Sequence, residues 1–241
     1  MVRLRPYLIL LGFLALTLPL MPVQYVLIKL NRRAARLLPW AYHRLLCRVL
    51  GMTITIEGAL PTAPALLVSN HVSWLDIPLL SAILPLSFIS KREVGTWPLF
   101  GAMAKLQRTL FVDRERRHKT GTTSNEIGER LLAGDTLVLF PEGTSSDGTQ
   151  VLPFKSSYFG VVEGIDIPVV PVTIIYQGEP KFYAWYGDMD LLPHLWAVIK
   201  SGPIKVCVTI HLALSKADRK SMAREAETII ASTLGESTEI R

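Results

Sequence analysis

His71 and Asp76 stand five positions apart in "SNHVSWLD", residues 69–76, directly behind the apolar run "APALLV". A neutral imidazole, with an ordinary pKa of about 6.5, accepts an alcohol's proton at neutral pH. A carboxylate on its other ring nitrogen fixes the tautomer and stabilises the imidazolium as it forms. Five residues along one ideal helix turn through about 500°, which leaves the two side chains about 140° apart. The pair therefore meets only if His71 occupies a loop and Asp76 the first helical turn. Ser73 supports that arrangement, because Ser73-x-x-Asp76 has the form of a capping box with Ser73 as N-cap. The same residues also describe a plain helix start, so the motif alone leaves the catalytic and the capping readings open.

Two other apolar runs end in polar groups. "TLFV" is followed by "DRERRHK", in which Arg114 stands at the strand end, able to fork onto an anionic headgroup, while the rest of the run reads as a solvated helix start. "TLVLF" is followed by "PEGTSSDG". There Pro141 stops the strand, Gly143 permits close backbone approach, and Glu142 between them can accept a hydrogen bond from a substrate hydroxyl. Asp147-Gly148 reads as a turn.

These ends belong to a regular alternation. The expected strands are "TITIEG", "ALLVSN", "SFIS", "TLFVD", "TLVLF", "VVPVTII" and "KVCVTIHL", several almost wholly apolar, as strands covered on both faces are. The expected helices cover about 74–84, 97–106, 115–133, 155–163 and 217–234. This order predicts an α/β fold with a largely parallel central sheet flanked by helices, whose ligands bind outside the carboxyl ends of the strands.

The charge is divided along the chain. Residues 1–56 carry eight Arg or Lys and no acid, whereas the remainder holds 18 basic and 20 acidic residues. A basic excess confined to the N-terminus argues against a nucleic-acid partner and for anionic membrane lipids. Residues 6–28 carry no charge but contain Pro19 and Pro22. A signal peptide, a kinked transmembrane anchor and a helix buried in one leaflet all fit this stretch. Beyond it, Arg32, Arg36, Arg44 and Arg48 recur at multiples of four with leucines between them, the pattern of a helix in the headgroup layer, with a helix packed on its own domain as the alternative. The chain thus divides into a membrane-associating segment, 1–50, and a catalytic domain, 51–241. The positive-inside rule puts that domain on the cytoplasmic side of the inner membrane. Cys47 and Cys207 lie far apart without metal spacing and read as two packed thiols.

"NHVSWLD", "LFVDR", "FPEGTSS" and "VVPV", in this order, resemble the four blocks of the glycerolipid acyltransferase family, whose best-known members are the lysophosphatidic acid acyltransferases. The resemblance covers residues 65–175. It implies acyl transfer from a thioester of coenzyme A or acyl carrier protein to a lysolipid hydroxyl, with His71 as base, Asp76 as its partner, and Arg114, Glu142, Gly143 and Thr144 binding the acceptor. It also implies an apolar groove for the acyl chain and no metal or bound cofactor. Asn70 and Ser73 are further candidates, with backbone N–H groups near Ser73 as the expected oxyanion donors. Two positions depart from the family pattern. The glycine that usually opens the second block is Arg108, and the arginine that usually follows Glu-Gly-Thr is Ser145, which removes a charge-assisted contact to a phosphate. Lys105, Arg108 and Lys155 are cations able to take its place. The expected product is phosphatidic acid from 1-acylglycerol-3-phosphate; the alternative acceptor is lyso-ornithine lipid, a phosphate-free zwitterion that suits Ser145. A serine hydrolase lacks its G-x-S-x-G elbow here. A lipid carrier, with His71 and Asp76 serving only the cap, is the non-enzymatic alternative.

Overall fold

The structure is a computed structural model that describes residues 4–30, 32–62, 64–112 and 120–239. Seven strands form one sheet: β1 (Met52–Glu57), β2 (Leu66–Ser69), β3 (Ser87–Lys91), β4 (Leu110–Val112), β5 (Leu137–Leu139), β6 (Val169–Tyr176) and β7 (Ile204–Ile210). Their order is β1-β7-β6-β2-β5-β3-β4. Every neighbouring pair is parallel except β6 with β7, so the β1–β7 pair runs against the other five strands. All seven expected strands are present. β2, β5 and β6 are buried along their whole length, which is why the sequence shows continuous apolar runs there and not alternation.

The flanking helices are α3 (Asp76–Ile83), α4 (Phe100–Leu106), α5 (Thr120–Leu132), α6 (Pro180–Tyr183), α7 (Leu191–Ser201) and α8 (Arg219–Glu239). The stretch expected as a helix at 155–163 is a 3₁₀ turn, Ser156–Val162. α6 and α7, inserted between β6 and β7, were not anticipated.

The basic N-terminal part forms two helices, α1 (Arg5–Leu30) and α2 (Arg32–Leu50). α1 runs unbroken through Pro19 and Pro22. It is long and apolar enough to cross a membrane, and 17% of its most apolar window is buried. Its few buried polar groups dock it: Thr17 bonds Tyr42 at 2.7 Å, and Gln24 donates to the carbonyls of Ala35 and Leu106, both at 2.8 Å. α2 buries the stripe Ala35, Pro39, His43, Cys47 and Leu50, at helical spacing, largely against α3. The helix expected in the headgroup layer is thus packed on its own domain along one side, while Leu37, Leu45 and Val49 stay exposed beside Arg44 and Arg48.

Asp135, two residues before β5, joins α2 to the foot of the sheet. Its buried carboxylate pairs with Arg36 of α2 at 2.5 Å, with Arg108 at 2.7 Å and with Arg130 of α5. Replacing this acid strands three partly buried guanidinium groups together, and breaking such a cluster costs about 3–5 kcal/mol. Asp135→Ala is expected to lower the midpoint of thermal unfolding in detergent by roughly 8 °C or more; an unchanged midpoint would show that the cluster does not brace the fold.

Candidate active site

β2 delivers the first motif to the top of the sheet. Asn70, immediately past its end, donates to the Ile174 carbonyl at 2.9 Å and accepts from the Ile174 N–H at 2.8 Å. The amide thus imitates one more rung of the β2–β6 ladder and spends both its edges on β6. The chain then leaves the sheet, and His71 lies in the loop with Asp76 in the first turn of α3, the arrangement its spacing required.

Asp76 is fully buried and accepts four hydrogen bonds. Oδ2 takes His71 Nδ1–H at 2.7 Å, Val72 N–H at 2.8 Å and Ser73 N–H at 3.0 Å, and Oδ1 takes the Tyr176 hydroxyl at 2.8 Å. Burial, and then the adjacent Asp76, push the Tyr176 phenol well above its ordinary pKa, so it stays a donor. With Nδ1 tied to Asp76, His71 presents Nε2, which has no hydrogen-bond partner among the described residues. The ring keeps some exposure, 21% against 0% for Asp76.

Only half of the expected capping box is made. The carboxylate reaches back to Ser73 N–H, but α3 begins at Asp76 with no side-chain cap, and the Ser73 hydroxyl is buried without a partner. Of the backbone N–H groups near Ser73 expected as oxyanion donors, those of Val72 and Ser73 point at Asp76 instead.

The third block fixes the His71 backbone. Glu142 Oε1 accepts His71 N–H at 2.8 Å, and Ser146 N–H donates to His71 C=O at 2.8 Å. The second oxygen of Glu142 accepts Leu152 N–H at 3.1 Å, and the residue is 3% exposed. Glu142, expected to meet a substrate hydroxyl, is instead spent on holding the loop. Burial pushes its carboxyl up to about 8, while its two N–H bonds pull the other way. The neighbouring Gly143 adopts φ 78°, a left-handed conformation that favours glycine and lets the chain turn back beneath His71. The His71 ring stacks on Phe140, centroids 4.1 Å apart, and Phe140 stacks on Phe88 at 6.3 Å.

Phe88 and Trp74 also line an apolar cavity of about 380 Å³, walled on its other sides by Phe13 and Leu20 of α1, Leu46 of α2 and Met103 of α4. The cavity and the His71 loop thus share a wall of stacked rings. Trp74 is held by α7: its indole N–H donates to His194 Nδ1 at 3.0 Å, and His194 Nε2–H donates to the Phe182 carbonyl at 3.2 Å.

The remaining candidates fall in different places. Thr144 and Lys155 are exposed beside the Glu142 loop, where Lys155 N–H donates to Pro141 C=O at 3.0 Å. Ser145 is turned inward and donates its hydroxyl to the Trp185 carbonyl. Lys105 is exposed in the last turn of α4, at the foot of β4. Arg108 is at that foot as well, committed to Asp135, which corrects its expected role in replacing the missing arginine; its φ of 62° is a left-handed conformation that favours glycine. Arg114 lies outside the described residues. Asp147 accepts from Thr149 N–H at 2.9 Å, the expected turn. Sequence reasoning missed Tyr176, Ser146, His194 and Trp185. The signal for Tyr176 was an aromatic with a polar tip ending the apolar run "VVPVTIIY", because a buried phenol demands a partner.

A family model described as "Acyltransferase" matches residues 52–175. A lyso-ornithine lipid O-acyltransferase of Brucella abortus is 41% identical, over 95% of this chain and 94% of its own. A 1-acyl-sn-glycerol-3-phosphate acyltransferase of Neisseria gonorrhoeae is 32% identical, over 73% of this chain and 71% of its own. The crystal structure of a 1-acyl-sn-glycerophosphate acyltransferase from Thermotoga maritima shares the fold, with a TM-score of 0.71 and 21% identity over 98% of this chain and 94% of that one.

Tyr176→Phe removes one of the four donors on Asp76 and leaves a buried acceptor open, a loss of about 1–3 kcal/mol. Turnover is expected to fall roughly tenfold with KM unchanged, since one pKa-scale unit of energy, about 1.4 kcal/mol, corresponds to that factor; a changed KM with normal kcat would place the phenol against substrate instead. Glu142 yields a pH test. Its folded pKa, about 8, lies above the ordinary 4.5. The folded state therefore holds the extra proton between those values, and the associated stability is complete below 4.5 and lost as pH rises through 8. Thermal unfolding of the wild type at pH 5, 6.5 and 8 is expected to show a decline that Glu142→Gln flattens; parallel curves would assign the titration to another group.

Proposed function

The chain belongs to the acyltransferase family, and from that premise we propose that it moves a fatty acyl group from the thioester of coenzyme A or acyl carrier protein to the free hydroxyl of lyso-ornithine lipid. The observation that carries the chemistry is the His71–Asp76 pair with Nε2 left open. The lysolipid hydroxyl attacks the thioester carbonyl as Nε2 takes its proton. The tetrahedral intermediate then collapses, the C–S bond breaks, and the imidazolium returns the proton to the departing thiolate. Asp76 holds the tautomer and offsets the transient charge. With Val72 and Ser73 N–H committed, the buried Ser73 hydroxyl on the same loop, which has no partner among the described residues, is the remaining donor for the oxyanion. The acyl chain fits the 380 Å³ cavity behind Trp74 and Phe88.

Two observations favour this acceptor over 1-acylglycerol-3-phosphate, the first expectation from sequence. The Brucella relative named for lyso-ornithine lipid is more similar than the Neisseria relative named for the glycerophosphate, at 41% against 32%. In addition, the position where the family usually holds an arginine is Ser145, bonded inward to Trp185, and a hydroxyl so committed offers a phosphate no cation. The exposed apolar face of α1 and the basic residues following it support attachment to the inner membrane, with the catalytic domain on the cytoplasmic side.

Purified protein assayed in mixed micelles with a labelled acyl donor is expected to acylate lyso-ornithine lipid at least tenfold faster than lysophosphatidic acid. His71→Ala is expected to lose about 10²–10⁴ of the rate. The reverse preference would overturn the acceptor, and a His71→Ala protein of normal rate would overturn the mechanism.

A further inference from the structure

The segment between β6 and α7, residues 177–190, closes over the catalytic loop like a strap. Trp185 sits at its centre and is clamped on both sides. Its N–H donates to Val72 C=O, the residue after the catalytic histidine, at 2.9 Å. Its C=O accepts the Ser145 hydroxyl from the third block. Close packing under the strap keeps it down: a Cβ on Gly148 would lie 3.0 Å from Val72 and 3.4 Å from Pro180. The indole N–H donates to Met189 C=O at 2.7 Å, which fixes the ring, and the ring meets Trp97 edge to face, centroids 5.9 Å apart at 88°. Trp97 lines the apolar cavity and is 37% exposed. Two indoles at right angles therefore link the loop that carries His71, which Trp185 bonds, to the apolar cavity that Trp97 lines.

Indole faces attract ammonium groups and offer nothing to a phosphate dianion. The charges of the strap agree. Glu179, Asp188 and Asp190 outnumber its one cation, Lys181, which pairs with Asp147 at 3.3 Å. We propose that Trp185, with Trp97, reads the acceptor headgroup by receiving the side-chain ammonium of an ornithine lipid, and that Ser145 serves this by anchoring the strap where an arginine would otherwise call for phosphate. This rests on the acceptor reading given above and names the residues that enforce it.

The test compares lyso-ornithine lipid with the same lipid N-acetylated on its side-chain amine, which removes the positive charge and keeps the reacting hydroxyl. The wild type is expected to favour the charged acceptor about tenfold in kcat/KM, through KM. Trp185→Leu leaves both backbone clamps in place and is expected to bring that ratio near one by raising KM for the charged lipid. Trp185→Phe is expected to keep a reduced preference; if far-UV circular dichroism shows the leucine variant unfolded, the phenylalanine variant decides. A wild type indifferent to acetylation, or a folded Trp185 variant with undiminished preference, overturns the proposal alone. Acylation of neither lipid removes the acceptor reading and this inference with it.

Discussion

The end of the sheet that carries His71 is organised around one buried carboxylate that must find enough donors. Asp76 is fully buried, and a bare carboxylate inside a protein is costly. Its two oxygens are satisfied by an imidazole, two backbone N–H groups of its own loop and a phenol from the end of β6. Each donor is thereby placed. The His71 ring is turned so that Nε2 faces outward, the loop is wound tightly about the first turn of α3, and β6 is locked to the motif that follows β2. Glu142 repeats the device one layer below, pinning His71 by its backbone and drawing the third block to the first. The result is an imidazole whose ring, tautomer and main chain are held by three different strand ends, which is what a positioned general base requires.

Much of this was legible in the sequence because it depended on local pattern. The seven strands followed from apolar runs whose length suits a doubly covered sheet. The loop-and-helix placement of His71 and Asp76 followed from helix geometry and a serine three residues before the acid. What escaped was long-range. Nothing near residue 76 announces that a tyrosine one hundred residues later will bond it. The Arg108 side chain was read as aimed at substrate, yet it binds Asp135 at the far end of the sheet, a pairing set by topology. Glu142 was read as a substrate ligand because its position behind an apolar strand is the same whether it faces outward or is folded beneath the loop. The strap carries few apolar residues in regular spacing, so no periodicity marked it; α7 does show helical spacing, in Leu191, Leu195, Val198 and Ile199, and that signal was overlooked.

The two ends of the sheet divide the charge between them. The arginines that make the N-terminus basic are not all free to meet lipid: Arg36 is drawn inward, with Arg108 and Arg130, onto Asp135. The same contact ties the helical hairpin of α1 and α2 to the catalytic domain at its foot, while His43 and Cys47 dock on α3 higher up through Ser81 and the Pro78 carbonyl. The hairpin is therefore part of the architecture of the domain, and its outward residues, Leu37, Leu45, Val49 and the exposed face of α1, are what it has left to offer a bilayer.

Because α1 supplies one wall of the apolar cavity, the hairpin cannot be trimmed without opening that hollow to water. A shortened protein beginning at β1 would retain its histidine and aspartate but face them onto a half-pipe, unable to enclose a hydrocarbon tail. The same wall makes the hollow a place where a surfactant's alkyl tail could lodge, in competition with the acyl group proposed to occupy it.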